Sequence, residues 1–177
     1  MFPIMINGNR FDESVKPAAD ASKTDYILVQ CQGRLSLSRR QKLDDAGLKH
    51  INYVSKNTYL CHYQSADLDK VRQMEPIVYT DVYRQEFKMA PNLKEALPDR
   101  DYKVDVIFHR GVQSDSPDLR HRILETTRSR TKDIEFFPHE VRLTIPGRYI
   151  RDTAMLDDVR WPGQPGQPGQ PGGGRDS

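Results

Sequence analysis

The order in which strand and helix signals follow one another limits this chain more than any other feature. Tyr26-Ile27-Leu28-Val29-Gln30-Cys31 is a short run of strand formers closed by Gly33. Ser38 with Gln41 three residues on has the form of a capping box. Leu43, Ala46 and the stop signal Gly47 complete a short helix. Residues 48–54 read as a second strand, Ser55-Lys56-Asn57 as a tight turn, and residues 58–63 as a third strand. Ser65 caps a second helix whose Leu68, Val71 and Met74 share one face. Pro76 ends it, and residues 77–83 make a fourth strand. The order β-α-β-β-α-β is the ferredoxin-like pattern, which brings the four strands into one antiparallel sheet under two helices.

The pattern then begins again. After a linker over residues 84–100 with Pro91 and Pro98, residues 102–109 read as a strand. Ser116-Pro117 is an N-cap with proline at the first helical position, and Leu119, Ile123 and Thr127 mark that helix's inner face. Residues 134–137 and 141–145 follow as strands, and residues 150–159 as a helix. Ala154-Met155-Leu156-Asp157-Asp158-Val159-Arg160 repeats Ala66-Asp67-Leu68-Asp69-Lys70-Val71-Arg72 at five of seven positions, the echo expected of two copies of one unit. Trp161-Pro162-Gly163 and a Gln-Pro-Gly repeat stand where the copy should continue. Proline at every third position cannot form a ladder. The expected fold is therefore α+β, two tandem ferredoxin-like βαββαβ units, the second lacking its last strand. Its parts are a flexible leader over 1–25, a first unit over 26–83, the linker over 84–100, an incomplete second unit over 101–160, and a disordered tail over 161–177.

Charge and composition narrow the range of function. Lys and Arg number 27 against 25 Asp and Glu, so nothing draws the chain to nucleic acid, and no nucleic-acid partner is expected. No apolar run approaches the roughly 20 residues that span a bilayer, and no membrane partner is expected. The first nine residues lack a basic region and a sustained apolar core, so the expectation is a cytoplasmic protein. Cys31 and Cys61 fall too far apart in the proposed sheet to bond and read as free thiols.

The settings that carry a Ser-His-Asp triad in subtilisin-like proteases are absent, as is a nucleophile elbow. His50, His62, His109, His121 and His139 are scattered with no metal-ligand spacing. Neither catalytic residues nor a metal or other cofactor is expected, and the chain does not read as an enzyme.

Tyrosine is the residue left to explain. Strand alternation puts Tyr79 and Tyr83 on the sheet face away from the helices, and the register of the middle strands adds Tyr53, Tyr59 and Tyr63. Two readings stand side by side: contact residues of an open protein-binding face, or rings packed at the rim of a small core.

The stretches Tyr26-Ile27-Leu28-Val29-Gln30, Tyr53-Val54-Ser55-Lys56-Asn57-Thr58-Tyr59-Leu60-Cys61 and Val78-Tyr79-Thr80-Asp81-Val82-Tyr83 resemble the propeptide-like region of subtilisin-like serine proteases. Val141-Arg142-Leu143-Thr144-Ile145 and Leu156-Asp157-Asp158-Val159-Arg160 are similar to the second prodomain-like unit of those proteins. The resemblance covers roughly residues 20–160 and implies an intramolecular chaperone or tight inhibitor that docks its open sheet face on a protease. No protease domain lies within these 177 residues. The expectation is thus a stand-alone propeptide-like protein that binds a subtilisin-like protease in trans. The alternative is a non-inhibitory interaction module or a truncated protease precursor.

Inhibition of that kind needs an extended segment after the fourth strand. Glu86, Phe87, Lys88 and Met89 occupy that place, with plain linkage of two units as the simpler reading. A missing last strand would also leave the strand over 102–109 as an open edge presenting Val104, Val106 and Phe108. Such an edge recruits a second copy or the leader's Pro3-Ile4-Met5-Ile6, or leaves the second unit marginally folded.

Overall fold

The computed structural model describes residues 2–12 and 15–163. Two compact units meet at the Arg84–Gln85 bond.

The first unit opens with a hairpin, β1 (Ile4–Ile6) and β2 (Asn9–Phe11). Asn7 and Gly8, with φ of 51° and 81°, form its two-residue turn, where the left-handed backbone suits asparagine and glycine. Then follow β3 (Tyr26–Cys31), α1 (Leu37–Asp45), β4 (Lys49–Ser55), β5 (Thr58–His62), α2 (Leu68–Arg72) and β6 (Ile77–Val82). The sheet runs β4-β5-β3-β6 and is antiparallel throughout, which is the ferredoxin-like order. Each N-cap lies two residues from the expected one, Ser36 in place of Ser38 and Asp67 in place of Ser65. Ser36 accepts from the Arg39 amide, and Asp67 accepts from the Lys70 amide. On the helix side, Ile27, Val29, Cys31, Leu43, Leu68 and Val71 build the core.

The other face of this sheet is not open. Ile4 and Ile6 are buried, as are Asn7 and Asn9, so the segment expected as a flexible leader is folded into the unit. Gln30, wholly buried on that face, donates to the Phe2 carbonyl oxygen at 2.9 Å and accepts from the Phe2 amide at 2.8 Å. Asn7 donates to the Tyr83 hydroxyl at 2.9 Å, and the Met5 amide reaches Ser55 Oγ. Further along, the Ala18 amide donates to the buried Asp81 carboxylate, and Arg72 and Arg84 donate to the carbonyl oxygens of Ala18 and Lys16. A sheet face carrying Gln30, Thr58 and Asp81 cannot be buried under plain hydrocarbon without leaving polar atoms unpaired. A strand-and-loop segment with free main-chain donors and acceptors satisfies them.

The second unit begins earlier than the strand pattern suggests. Residues 85–94 form two short helices, α3 (Gln85–Lys88) and α4 (Pro91–Lys94), rather than an extended linker. Met89 and Leu93 belong to the second core, together with Val104, Val106, Leu119, Ile123 and Leu143. Next come β7 (Asp101–Phe108), α5 (Pro117–Thr127), β8 (Ile134–Phe136), β9 (Glu140–Pro146), α6 (Arg148–Ala154) and β10 (Val159–Gly163). Ser116 caps α5 by accepting from the Leu119 amide, and Leu119, Ile123 and Thr127 are its buried face.

The second sheet runs β10-β7-β9-β8, so its fourth strand exists. Trp161 lies opposite Ile107 and Pro162 opposite Val106, with a bulge after Val159. This corrects the expectation of an incomplete unit. The strand needs only residues 159–163, ahead of the Gln-Pro-Gly repeat, and its single proline sits on an edge strand, where proline is tolerated. β7 is therefore flanked by β10 and β9, and Val104, Val106 and Phe108 are buried core residues rather than an open edge. β1, offered as a substitute partner for that edge, pairs with β2 instead. The rest of the expected tail, 164–177, lies outside the described residues.

The sequence echo is not a structural equivalence either. Residues 66–72 lead into and form α2, whereas 154–160 leave α6 and enter β10. Val71 is buried from a helix and Val159 from a strand.

Candidate functional site

Four of the five tyrosines expected on an exposed binding face are buried. Tyr79 and Tyr83 do lie on the side away from the helices, beside Gln30 and Tyr26, but the hairpin side of the unit encloses them. The Tyr79 hydroxyl approaches Asp81 Oδ2 at 3.3 Å, and burial, then the Asp81 charge, raises its pKa. Tyr59 and Tyr63 point to the opposite side and pack into the helix core, where the Tyr63 hydroxyl donates to the Asp67 carbonyl oxygen. Tyr53 alone is well exposed, at 43 %, with its ring edge-on to Tyr59. These rings are core and rim, the second of the two readings.

The segment expected to thread a protease cleft is likewise folded. Phe87, Lys88 and Met89 are buried, and Glu86 is exposed on α3. The Lys88 ammonium donates to the Leu156 carbonyl oxygen at 3.0 Å. Burial lowers its pKa to about 8 against the opposing pull of Asp157 and Asp158. Cys31 and Cys61 are free and buried, and desolvation raises both thiols above their ordinary value. Two histidines the sequence leaves unconnected meet across strands: the His50 and His62 rings lie edge to face at 5.9 Å. No group of three or more His, Cys, Asp or Glu side chains that could hold a metal ion occurs among the described residues.

Two concavities stand out, one in each unit. In the first, about 280 Å³ open beside Pro17, Val78 and Arg72. Arg72 has little left to offer a ligand there, because it donates to Ala18, Ala19 and Thr80 carbonyl oxygens and pairs with Asp69.

The second is larger, about 510 Å³, at the end of the second sheet. Two loops make it. One follows β7, turns at Gly111 and runs through Gln113, Ser114 and Asp115 into α5. The other is the β8–β9 turn, Phe137-Pro138-His139. In a β-α-β-β-α-β unit these loops fall at the same end of the sheet, because the first strand runs towards the end at which the third begins. Arg120, on the first turns of α5, reaches back into the cleft and places its guanidinium carbon over the Phe136 ring, 4.2 Å from its centre. Its Nε donates to the Ser114 carbonyl oxygen at 3.4 Å, and it makes no ion pair with a carboxylate among the described residues.

A second arginine–phenylalanine contact lies on the other face of the same strand end. Arg142 is 5.5 Å from the Phe137 ring centre, but it is neutralised: Nε and a terminal nitrogen donate to both Asp105 oxygens at 2.7 and 3.3 Å. That hydrogen bonding raises the Arg142 pKa. Arg120, Phe136, Phe137 and Ser114 were not singled out by sequence reasoning. The signal that could have found them is Phe136-Phe137-Pro138, two large rings at a strand end followed by a residue that stops the ladder.

Comparison with known proteins adds little about activity. Residues 5–84 match a family described as a domain of unknown function (DUF8729), a match that takes in the hairpin and ends with the first unit. No curated protein and no solved structure matches this chain.

Proposed function

We propose that this chain is a non-catalytic protein-interaction module whose binding surface is the cleft of the second unit. The observation that carries this reading is the cleft itself. It is a concavity of about 510 Å³ with two phenylalanines and an arginine held over one of the rings, and no carboxylate among the described residues pairs with that arginine. Apolar surface beside a few oriented polar groups is the make-up of a recognition site. Binding rather than reaction is favoured because no hydrogen bond among the described residues links Asp115, Arg120 and His139, so the cleft offers no general base poised on a nucleophile.

The resemblance to subtilase propeptides suggests one class of partner. The docking mode it implies is not supported, since the corresponding sheet face carries residues 2–12 and the would-be inhibitory segment is helical and buried. A subtilisin-like protease would have to be met by another surface, and the cleft is a candidate because Arg120 keeps donors to offer there.

The test is selection from a random displayed-peptide library on the full chain, run beside the Phe136→Ala chain, with a panel of subtilisin-like proteases as a separate arm. Peptides enriched on the wild-type chain and lost on the variant are expected. No enrichment, or enrichment indifferent to Phe136, overturns the reading. Slowed hydrolysis by any protease of the panel would name the partner class.

A further inference from the structure

We infer that the cleft of the second unit recognises a single carboxylate on a peptide segment, with the adjoining apolar residue lying on Phe137. This inference rests on the interaction reading and specifies its ligand. Arg120 supplies the argument. A guanidinium has five N–H donors in one plane. Here the group is held over the Phe136 ring, 4.2 Å from its centre, and by one donor given to the Ser114 carbonyl oxygen. The terminal nitrogens keep their donors in a partly enclosed site, oriented before any ligand arrives, so little ordering entropy is lost when one binds.

The neighbouring arginine shows what completes such a group in this protein. Arg142 also lies over a phenylalanine, and its fork is filled by both oxygens of Asp105. Arg120 has the ring and lacks the carboxylate. Charge-assisted, two-point contacts of this kind are the strong ones; the fork takes a carboxylate or a phosphate in this way and a neutral group less well, and a carboxylate is what fills it at Arg142. Asp115 also lines the cleft, is exposed, and has no cation bound to it. Its charge opposes a run of acids and favours one carboxylate flanked by neutral residues. Phe137, 36 % exposed and lining the cleft, offers the apolar surface for the neighbour.

The probes are capped peptides, acetyl-Ala-Phe-Glu-Ala-amide with its Gln and Lys analogues and a Glu-Glu-Glu version, titrated into the isotope-labelled full chain and followed by amide shifts. Saturable shifts confined to residues 111–120 and 136–139 are expected with the single-Glu peptide at millimolar concentrations. Affinity should fall roughly tenfold for the Gln analogue, the loss of one charge-assisted contact. Arg120→Gln should abolish the preference for Glu over Gln. Arg120→Lys keeps a cation but not the planar fork and should weaken the preference, which guards against a folding artefact in the first variant.

Equal binding of Glu and Gln peptides, tighter binding of the triple acid, or no saturable shift with the single-Glu peptide overturns the inference. In those cases the library selection still decides the broader reading, because peptides without an acid would be enriched in a Phe136-dependent way.

Discussion

Gln30 and Phe2 hold each other by a reciprocal pair of hydrogen bonds, the side-chain amide of one reading the main chain of the other at 2.8 and 2.9 Å. The same Gln30 amide nitrogen lies 3.1 Å from Thr58 Oγ1, so one buried side chain ties the start of the chain to two central strands. The sheet face of the first unit is thus a second, polar core rather than a docking surface.

Gln30→Leu keeps the volume and removes the pairing. Loss of hydrogen bonds at a wholly buried position should cost about 1–3 kcal/mol. Urea unfolding should show a lower midpoint, and amides of residues 4–11 should exchange faster than those of β3. Unchanged exchange over 4–11 would mean that the hairpin is held by its apolar contacts alone.

Lys88 predicts a rise in stability at alkaline pH. Its folded pKa of about 8 lies below the ordinary 10.5, so the unfolded chain binds the extra proton between those values. The Lys88 contribution to stability therefore increases as pH rises from about 8 towards 10.5, by on the order of 3 kcal/mol at most, and its full penalty applies below pH 8. The raised thiols and Tyr79, common to both chains, act in the other direction, so the measurement is the difference in denaturation between wild type and Lys88→Met, which should move in favour of the wild type across that range.

Gly147 marks a close approach. A Cβ there would stand 2.2 Å from the Leu97 carbonyl oxygen, a main-chain atom that cannot swing aside. The Gly147 and Arg148 amides also donate to the Arg100 and Pro98 carbonyl oxygens, fixing residues 97–100 over the β9–α6 corner. Gly147→Ala should destabilise the second unit by about 1–3 kcal/mol. Thermal unfolding followed by the near-ultraviolet signal provides the measurement.

Removing β10 should create the open edge that the intact chain lacks. A chain ending at residue 158 would expose one side of β7, whose Val104, Val106 and Phe108 are then partly uncovered. Gel filtration should show concentration-dependent self-association that the full chain does not share. A monomeric, equally stable truncated chain would mean that β10 contributes nothing to the fold.

The β-α-β-β-α-β order of the first unit, and that of the second up to its last strand, were legible because each element carries its own local signal: the run over Tyr26–Cys31, the Ser116-Pro117 cap, the spacing of Leu119, Ile123 and Thr127. Reading residues 1–25 as a flexible leader misses the hairpin, although Ile6-Asn7-Gly8-Asn9 carries its signal: an Asn-Gly pair between short apolar runs favours the mirror-image turn. Its position on the sheet was not legible, because that depends on Gln30, Thr58 and Asp81 needing partners on a face that strand alternation alone would leave to water. β10 was hidden by the composition of the Gln-Pro-Gly repeat that follows it, although strand pairing needs only the five residues before it. The cleft was least legible: Arg120 and Phe136 are sixteen positions apart, and nothing local in either says that they stack.

The tie between Asn7 and Tyr83 spans 76 positions, almost the whole first unit. On the ribosome the hairpin emerges ahead of the rest of this unit, but its docking face is finished only when β6 has been made. Closing so long a loop is slow compared with forming a local turn. The hairpin must therefore wait, paired only with itself, until the last strand of the unit exists. Nascent chains stalled before β6 should carry Ile4 and Ile6 uncovered, available to whatever holdase attends the exit tunnel.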